Sequence, residues 1–252
     1  MTTRKPGRIL ALWAVPRSTS TAFEWMMRER GDFLCLHEPF NEVYYYGQDR
    51  RTDRDAHIPP RPGLAFPSVW AEIQAQAAAG PVFLKDFAYS IEHMADDAFL
   101  DRFDHGFLIR DPAKVLPSIH HRWPDFTLEE AGFEALSRLF DRVRARIGTV
   151  PPVIDSDDLL ARPAETVEAF CAAVGIPFLP QALNWQPKEE AKASWYDGGS
   201  WHDNLRRSTG IQAQPRSYAA LDDDPRLRHA HDLCRPIYEA LYAHRLTGGV
   251  LA

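Results

Sequence analysis

The stretch LALWAVPRSTSTAFEWMM, residues 10–27, decides how the chain is read. An apolar run of strand character, Ile9–Val15, stops at Pro16-Arg17. Four hydroxyl residues follow, Ser18, Thr19, Ser20 and Thr21, and then a helical pattern carried by Ala22, Phe23, Trp25, Met26 and Met27. A strand that enters a helix through an arginine and a run of hydroxyls suits an anion. The first turn of a helix presents N–H groups without intrahelical partners and the positive end of the macrodipole. A phosphate or sulfate is stabilised there. The hydroxyls add donors, and Arg17 adds a planar fork that fits a tetrahedral oxyanion. An ordinary capped helix is the other reading, because Thr21 and Glu24 have capping-box spacing. A cap uses one hydroxyl and no arginine, and on this stretch alone both readings stand. The loop has no glycine and no lysine, so it is a poor ATP or GTP loop of the G-x-x-x-x-G-K-[ST] kind. No G-x-G-x-x-G dinucleotide fingerprint follows the strand either.

The bulk numbers narrow the classes. The chain has 252 residues, 45% hydrophobic and 25% charged, with a net charge of −6. That is ordinary for a globular protein. The acidic balance argues against general binding to nucleic acid or an anionic membrane surface, which needs a basic face. Cys35, Cys171 and Cys234 are an odd number of widely spaced cysteines, which reads as free thiols in a reducing compartment. No stretch reaches the ~20 apolar residues of a membrane span. The apolar run after the basic N-terminus is short and lacks a small-residue cleavage site. The expected location is the cytoplasm.

Strand-like runs recur at Ile9–Val15, Phe33–Leu36, Val82–Lys85, Gly106–Ile109 and Val153–Ile154. Helical patterns cover 20–30, 68–79, 112–122, 127–147, 163–174 and 225–245, with Pro112 and Pro163 at first-turn positions. Strands alternating with helices imply a parallel sheet covered on both faces. Ligands of such sheets bind beyond the carboxyl ends of the strands. The Arg17 loop, His37-Glu38, Lys85-Asp86 and Arg110-Asp111 all follow predicted strands, so they should meet on one edge. Residues 41–67 and 180–224 lack a regular pattern, which fits lid or substrate segments.

Two further stretches carry chemistry. In FLIRDPAKVLPSIHHRW, residues 107–123, a strand ends at Arg110, Pro112 opens a helix, and Ser118 lies eight residues after the arginine. In VIDSDDLLARPAETVEAFCAAVGIPF, residues 153–178, a strand, an acidic turn, a leucine pair, a proline-initiated helix and G-I-P-F follow in order. With PRSTSTAF, these stretches resemble the sulfotransferases that use 3′-phosphoadenosine 5′-phosphosulfate (PAPS). The first loop looks like the P-R-S-G-S-T version of bacterial members. Arg110 and Ser118 match the family's strand-R-D-P-helix spacing, and Ser156-Asp157-Asp158-Leu159 through Phe178 match its YEDL…GIPF segment, with Ser156 where tyrosine is common. The G-x-x-G-x-x-K segment of the cytosolic animal enzymes is missing. WHDNLRRSTG, with Arg206 and Arg207, is the nearest basic loop.

The resemblance implies a single sulfotransferase-like domain over residues 1–252. The expected fold is α/β and P-loop-like, three layers with a central parallel sheet of about five strands flanked by helices. It implies transfer of a sulfuryl group from PAPS to a hydroxyl or amine of a small-molecule acceptor, leaving adenosine 3′,5′-bisphosphate. Arg17, Ser18, Thr19, Ser20 and Thr21 would hold the phosphosulfate, Arg110 and Ser118 the 3′-phosphate, and Arg206 and Arg207 would cover the cofactor. The family places a Glu or His base at the end of the second strand. Here the match falls on Glu38, with His37 beside it and expected on the opposite side of an extended chain. Lys85 either binds the transferring group or pairs with Asp86 or another local acid. No metal is expected: His120 and His121 are adjacent and point apart on a helix. A small-molecule kinase is the rival enzyme and lacks its loop lysine. A nucleotide-binding module without turnover is the non-enzymatic alternative, and an acyl hydrolase lacks its G-x-S-x-G elbow.

Overall fold

The computed structural model describes residues 7–187, 207–213, 221 and 224–247. Five strands form one parallel sheet: β1 Ile9–Ala14, β2 Leu34–His37, β3 Val82–Phe87, β4 Asp104–Ile109 and β5 Val153–Asp155. Their order is β2-β3-β1-β4-β5. Every residue of β1 is buried. A strand covered on both faces has no side to expose, which is why it reads as an unbroken apolar run. Leu12 of β1 lies opposite Lys85 of β3 and Gly106 of β4, and Lys85 lies opposite His37 of β2. The carboxyl ends of these strands therefore finish side by side.

Helix α1 (Ser20–Arg30) joins β1 to β2, and α2 (Pro39–Tyr46) and α3 (Phe66–Ala79) lie between β2 and β3. A short α4 (Asp97–Leu100) precedes β4, and α5 (Pro112–His120), α6 (Leu128–Ala131) and α7 (Phe133–Ile147) lead to β5. Helices α8 (Ser156–Ala161), α9 (Pro163–Ala173) and α10 (Pro225–Tyr242) follow it. The chain steps outward from β1 to β2 and back to β3, so right-handed crossovers put α1 on one face and α3 on the other. Ring contacts agree. Phe23 of α1 meets Phe83 of β3 and Phe170 of α9. On the other face Trp13 meets Phe103, which stacks on Trp70 of α3, and Phe107 meets Phe140 of α7. This is the three-layer α/β, P-loop-like arrangement that the sequence predicts. Gly106 is needed for it: a Cβ there would come 2.6 Å from the Phe170 ring.

Some elements differ from the sequence pattern. The helix expected over 127–147 is broken at Gly132, whose φ of +80° separates α6 from α7. Residues 39–46 form a helix although three tyrosines give it little intrinsic preference. Burial of Phe40, Val43, Tyr44 and Tyr45 outweighs that preference, and Pro39 starts the helix without losing a bond. Beyond it, residues 47–65 carry no helix or strand. All three cysteines are buried free thiols. Among the described residues, no helix is long and apolar enough to cross a membrane.

Candidate active site

The loop after β1 continues the sheet for one residue, with Val15 N–H donating to Leu108 O at 3.1 Å. Arg17 (φ +61°) and Thr19 (φ +73°) then take left-handed backbone on either side of Ser18. Such turns gather successive N–H groups toward one point. The Ser18 hydroxyl donates to Val15 O at 2.6 Å and closes the turn. Thr19 O accepts the first helix bonds from Ala22 and Phe23, so Thr19 is the N-cap of α1 and no side chain caps it. The alternative, a capping box at Thr21 and Glu24, is therefore not formed. Ser20 and Thr21 are instead the first two residues of α1. Thr19 is β-branched and stands where the P-R-S-G-S-T loop has glycine. Its conformation costs on the order of 1–3 kcal/mol and must be held from outside. Thr19 Oγ1 lies 2.9 Å from Ser156 Oγ at the start of α8, which ties the loop down.

Arg17 and the Arg110–Ser118 pair meet directly. Arg17 Nε donates to Ser118 Oγ at 2.9 Å, and Arg110 Nη1 donates to Arg17 O at 2.7 Å. The reason is the strand order: β4 neighbours β1, so α5 starts beside the first loop. Asp111 does not pair with Arg110. It caps α5 through Ala113 N–H and receives Arg235 at 3.1 Å.

Across β1, Glu38 follows β2 and is the N-cap of α2. Its N–H donates to Lys85 O at 2.8 Å, and its φ of +46° turns the chain into α2. Both carboxylate oxygens of the buried side chain are engaged: Oε1 by Lys85 Nζ, and Oε2 by Asn41 Nδ2 at 3.1 Å. Lys85 thus pairs with Glu38, with Phe87's ring 5.2 Å from its ammonium. The expectation that His37 and Glu38 point apart fails, because the chain stops being extended at Glu38. His37 Nε2 is 3.8 Å from Glu38 Oε1, and its Nδ1 is 2.6 Å from Glu24 Oε2. Arg28 binds the other Glu24 oxygen with two N–H groups, at 2.9 and 2.7 Å. Burial pushes the Glu24 carboxyl up, but His37, Arg28 and Lys85 together outweigh it and leave it at about 2. Glu24 is then ionised at neutral pH, so His37 Nδ1 carries the proton of that bond.

Asp86 follows Lys85 on β3 and faces α2. It is fully buried and accepts Phe40 N–H at 2.7 Å, Phe87 N–H at 2.8 Å and the Ser90 hydroxyl at 3.1 Å. Burial and the nearby Glu38 push its carboxyl up to about 7, against the two amides and Lys85.

Helix α2 and the segment after it are fastened to α6 and the turn before it. Arg54 grips Glu130 and lies 4.5 Å over the Trp123 ring. Tyr44 donates to Glu129 at 2.8 Å and packs 5.1 Å from Tyr89. Arg207 is exposed, and Arg206 lies outside the described residues. Among the described residues, no group of three or more His, Cys, Asp or Glu could hold a metal ion. Glu24 and Asn41 join the site although the sequence marked neither for it, whereas Asp86 was expected on this edge and Ser156 opens the third motif. The four-residue spacing of Glu24 and Arg28 is a local signal for the ion pair they form.

The family model for the sulfotransferase domain matches residues 7–245. Two curated proteins of Arabidopsis thaliana are similar over 94% of this chain. Branched-chain-amino-acid aminotransferase-like protein 2 is 25% identical over 258 residues, and protein 1 is 28% identical over 244. The chain spans 42% of the length of each. Among solved structures, the sulfotransferase domain from the Synechococcus PCC 7002 olefin synthase is similar with a TM-score of 0.48 and 16% identity, over 98% of both chains. With the family model covering nearly all of the described residues, the chain belongs to the sulfotransferase family.

Proposed function

We propose that this chain moves a sulfuryl group from PAPS to the hydroxyl or amine of a small-molecule acceptor. One observation carries the reading: the Arg17–Arg110–Ser118 cluster and the buried Glu38–Lys85 pair share one sheet edge, on either side of β1. Guanidinium groups and hydroxyls are donors suited to tetrahedral anions, so the set fits the phosphates of the donor nucleotide. PAPS supplies the activated sulfuryl group and leaves as adenosine 3′,5′-bisphosphate. Arg17 and the residues Ser18–Thr21 hold its phosphosulfate end, Arg110 and Ser118 its 3′-phosphate, and Arg206 and Arg207 cover it. Residues 1–252 act as one domain, with 41–67 and 180–224 shaping the acceptor site.

Glu38 takes the acceptor proton. Lys85 and Asn41 hold its carboxylate in one orientation, which is what a general base requires. On protonation the attraction between Glu38 and Lys85 falls, and the ammonium is left to the anionic oxygens of the reacting group. Positive charge then grows where negative charge develops. His37, held by Glu24, flanks Glu38.

Thermal unfolding with adenosine 3′,5′-bisphosphate, AMP and ATP tests the reading. A ligand at about 100 times its dissociation constant stabilises by about 2.7 kcal/mol. Stabilisation by the bisphosphate well beyond that by AMP is expected. Equal stabilisation by the two would remove the case for a 3′-phosphate site.

A further inference from the structure

We infer that Asp86 is a positioning residue: it caps α2 in place of Glu38 and so releases the Glu38 side chain to face Lys85 and the acceptor. The inference rests on Glu38 being the base. An N-cap residue commonly spends its own side chain on the N–H of the second or third helical residue. Glu38 occupies the N-cap of α2 and makes no such bond. The N–H of Phe40, the second residue of α2, is bonded at 2.7 Å by the Asp86 carboxylate, which arrives from the neighbouring strand.

Alternation along β3 makes the division of labour possible. Successive residues of a strand point to opposite faces. Lys85 therefore reaches the Glu38 side chain while Asp86 reaches the backbone of the helix that Glu38 starts. The Lys85 carbonyl adds a third tie by accepting Glu38 N–H. Asp86 is itself immobilised, since its other oxygen accepts Phe87 N–H and the Ser90 hydroxyl. Glu38 has left-handed backbone, which survives only where neighbours over-determine it. Adjacent residues of β3 thus hold both ends of the base. The charged groups bearing on Asp86 are Glu38 at the start of α2 and Lys85 on its own strand.

Asp86→Asn keeps the size and removes the charge and one good acceptor. The variant is expected to lose between about tenfold and 10²-fold in kcat, the scale of a small misplacement of a catalytic group. Its affinity for adenosine 3′,5′-bisphosphate stays within about twofold, because Asp86 is across β1 from the arginine cluster. The loss falls on kcat while KM for PAPS stays near wild type, a split that a general loss of structure would not give. Wild-type kcat, or a loss of nucleotide affinity as large as the loss of kcat, overturns the inference. Glu38→Gln is measured alongside. If it retains turnover, the base assignment fails and the inference with it. If it loses turnover while Asp86→Asn behaves as wild type, only the inference fails. Should Asp86→Asn not fold, the wild-type protein still decides. The Phe40 amide proton resonance shifts as Asp86 titrates if the bond exists, and a flat trace overturns it.

Discussion

Arg110→Ala separates the two arginines of the cluster. The change removes a guanidinium and its bond to Arg17 O, but Arg17 keeps its own bond to Ser118. A hydrogen bond to a charged group contributes about 1.5–3 kcal/mol. Affinity for adenosine 3′,5′-bisphosphate should therefore fall about 10- to 150-fold. AMP has no 3′-phosphate, so its affinity should change by less than about threefold. At saturating donor, kcat should stay near wild type, since Arg110 holds a group remote from the reacting bond. Arg17→Ala should weaken nucleotide binding and lower kcat as well, because Arg17 leaves the loop where charge develops. Calorimetric titration of both nucleotides, with steady-state rates, measures the split. Equal losses for AMP and the bisphosphate in Arg110→Ala would refute the assignment of Arg110 to the 3′-phosphate.

Two other contacts of the site bear on stability. Glu24 is held at about 2 against an unfolded value of 4.5, so its stabilising contribution is present above pH 4.5 and lost as pH falls toward 2. The gap corresponds to about 3 kcal/mol, and the stability difference between wild type and Glu24→Gln, read from denaturant unfolding, should shrink across that window; a difference constant with pH would contradict it. Thr19→Val and Ser156→Ala each remove the same hydroxyl contact, at about 0.5–1.5 kcal/mol. The double variant should cost clearly less than the sum of the two, and strict additivity would mean the contact holds nothing.

The sheet was legible because β1 and its neighbours are buried on both faces and leave uninterrupted apolar runs in the sequence. The strand-loop-helix at Arg17 was legible for the opposite reason: an arginine and four hydroxyls have no packing role to explain them there. What the sequence hides is whatever depends on distant pairing or on a single backbone angle. Glu24 and His37 lie on different elements, so nothing local announces that they meet. Glu38 converges with His37 only because its φ is +46°, and strand alternation gives the wrong answer at that residue. Asp86 reads as a surface partner for Lys85 until β3 is seen to be fully buried. Helix α2 is set by burial of its aromatic residues against a propensity that opposes it. The closeness of Arg17 to Ser118 follows from strand order, which motif spacing does not contain.

Glu38→Gln tests the central claim most directly, because it preserves the shape of the side chain and removes its basicity. Single-turnover transfer from PAPS, with nucleotide affinity measured in parallel, is the measurement. Turnover should fall by roughly 10²-fold or more, the range for general base catalysis, while affinity for adenosine 3′,5′-bisphosphate stays nearly unchanged. Near-normal turnover in this variant, with a large loss in His37→Gln, would contradict the account and move the proton transfer to His37.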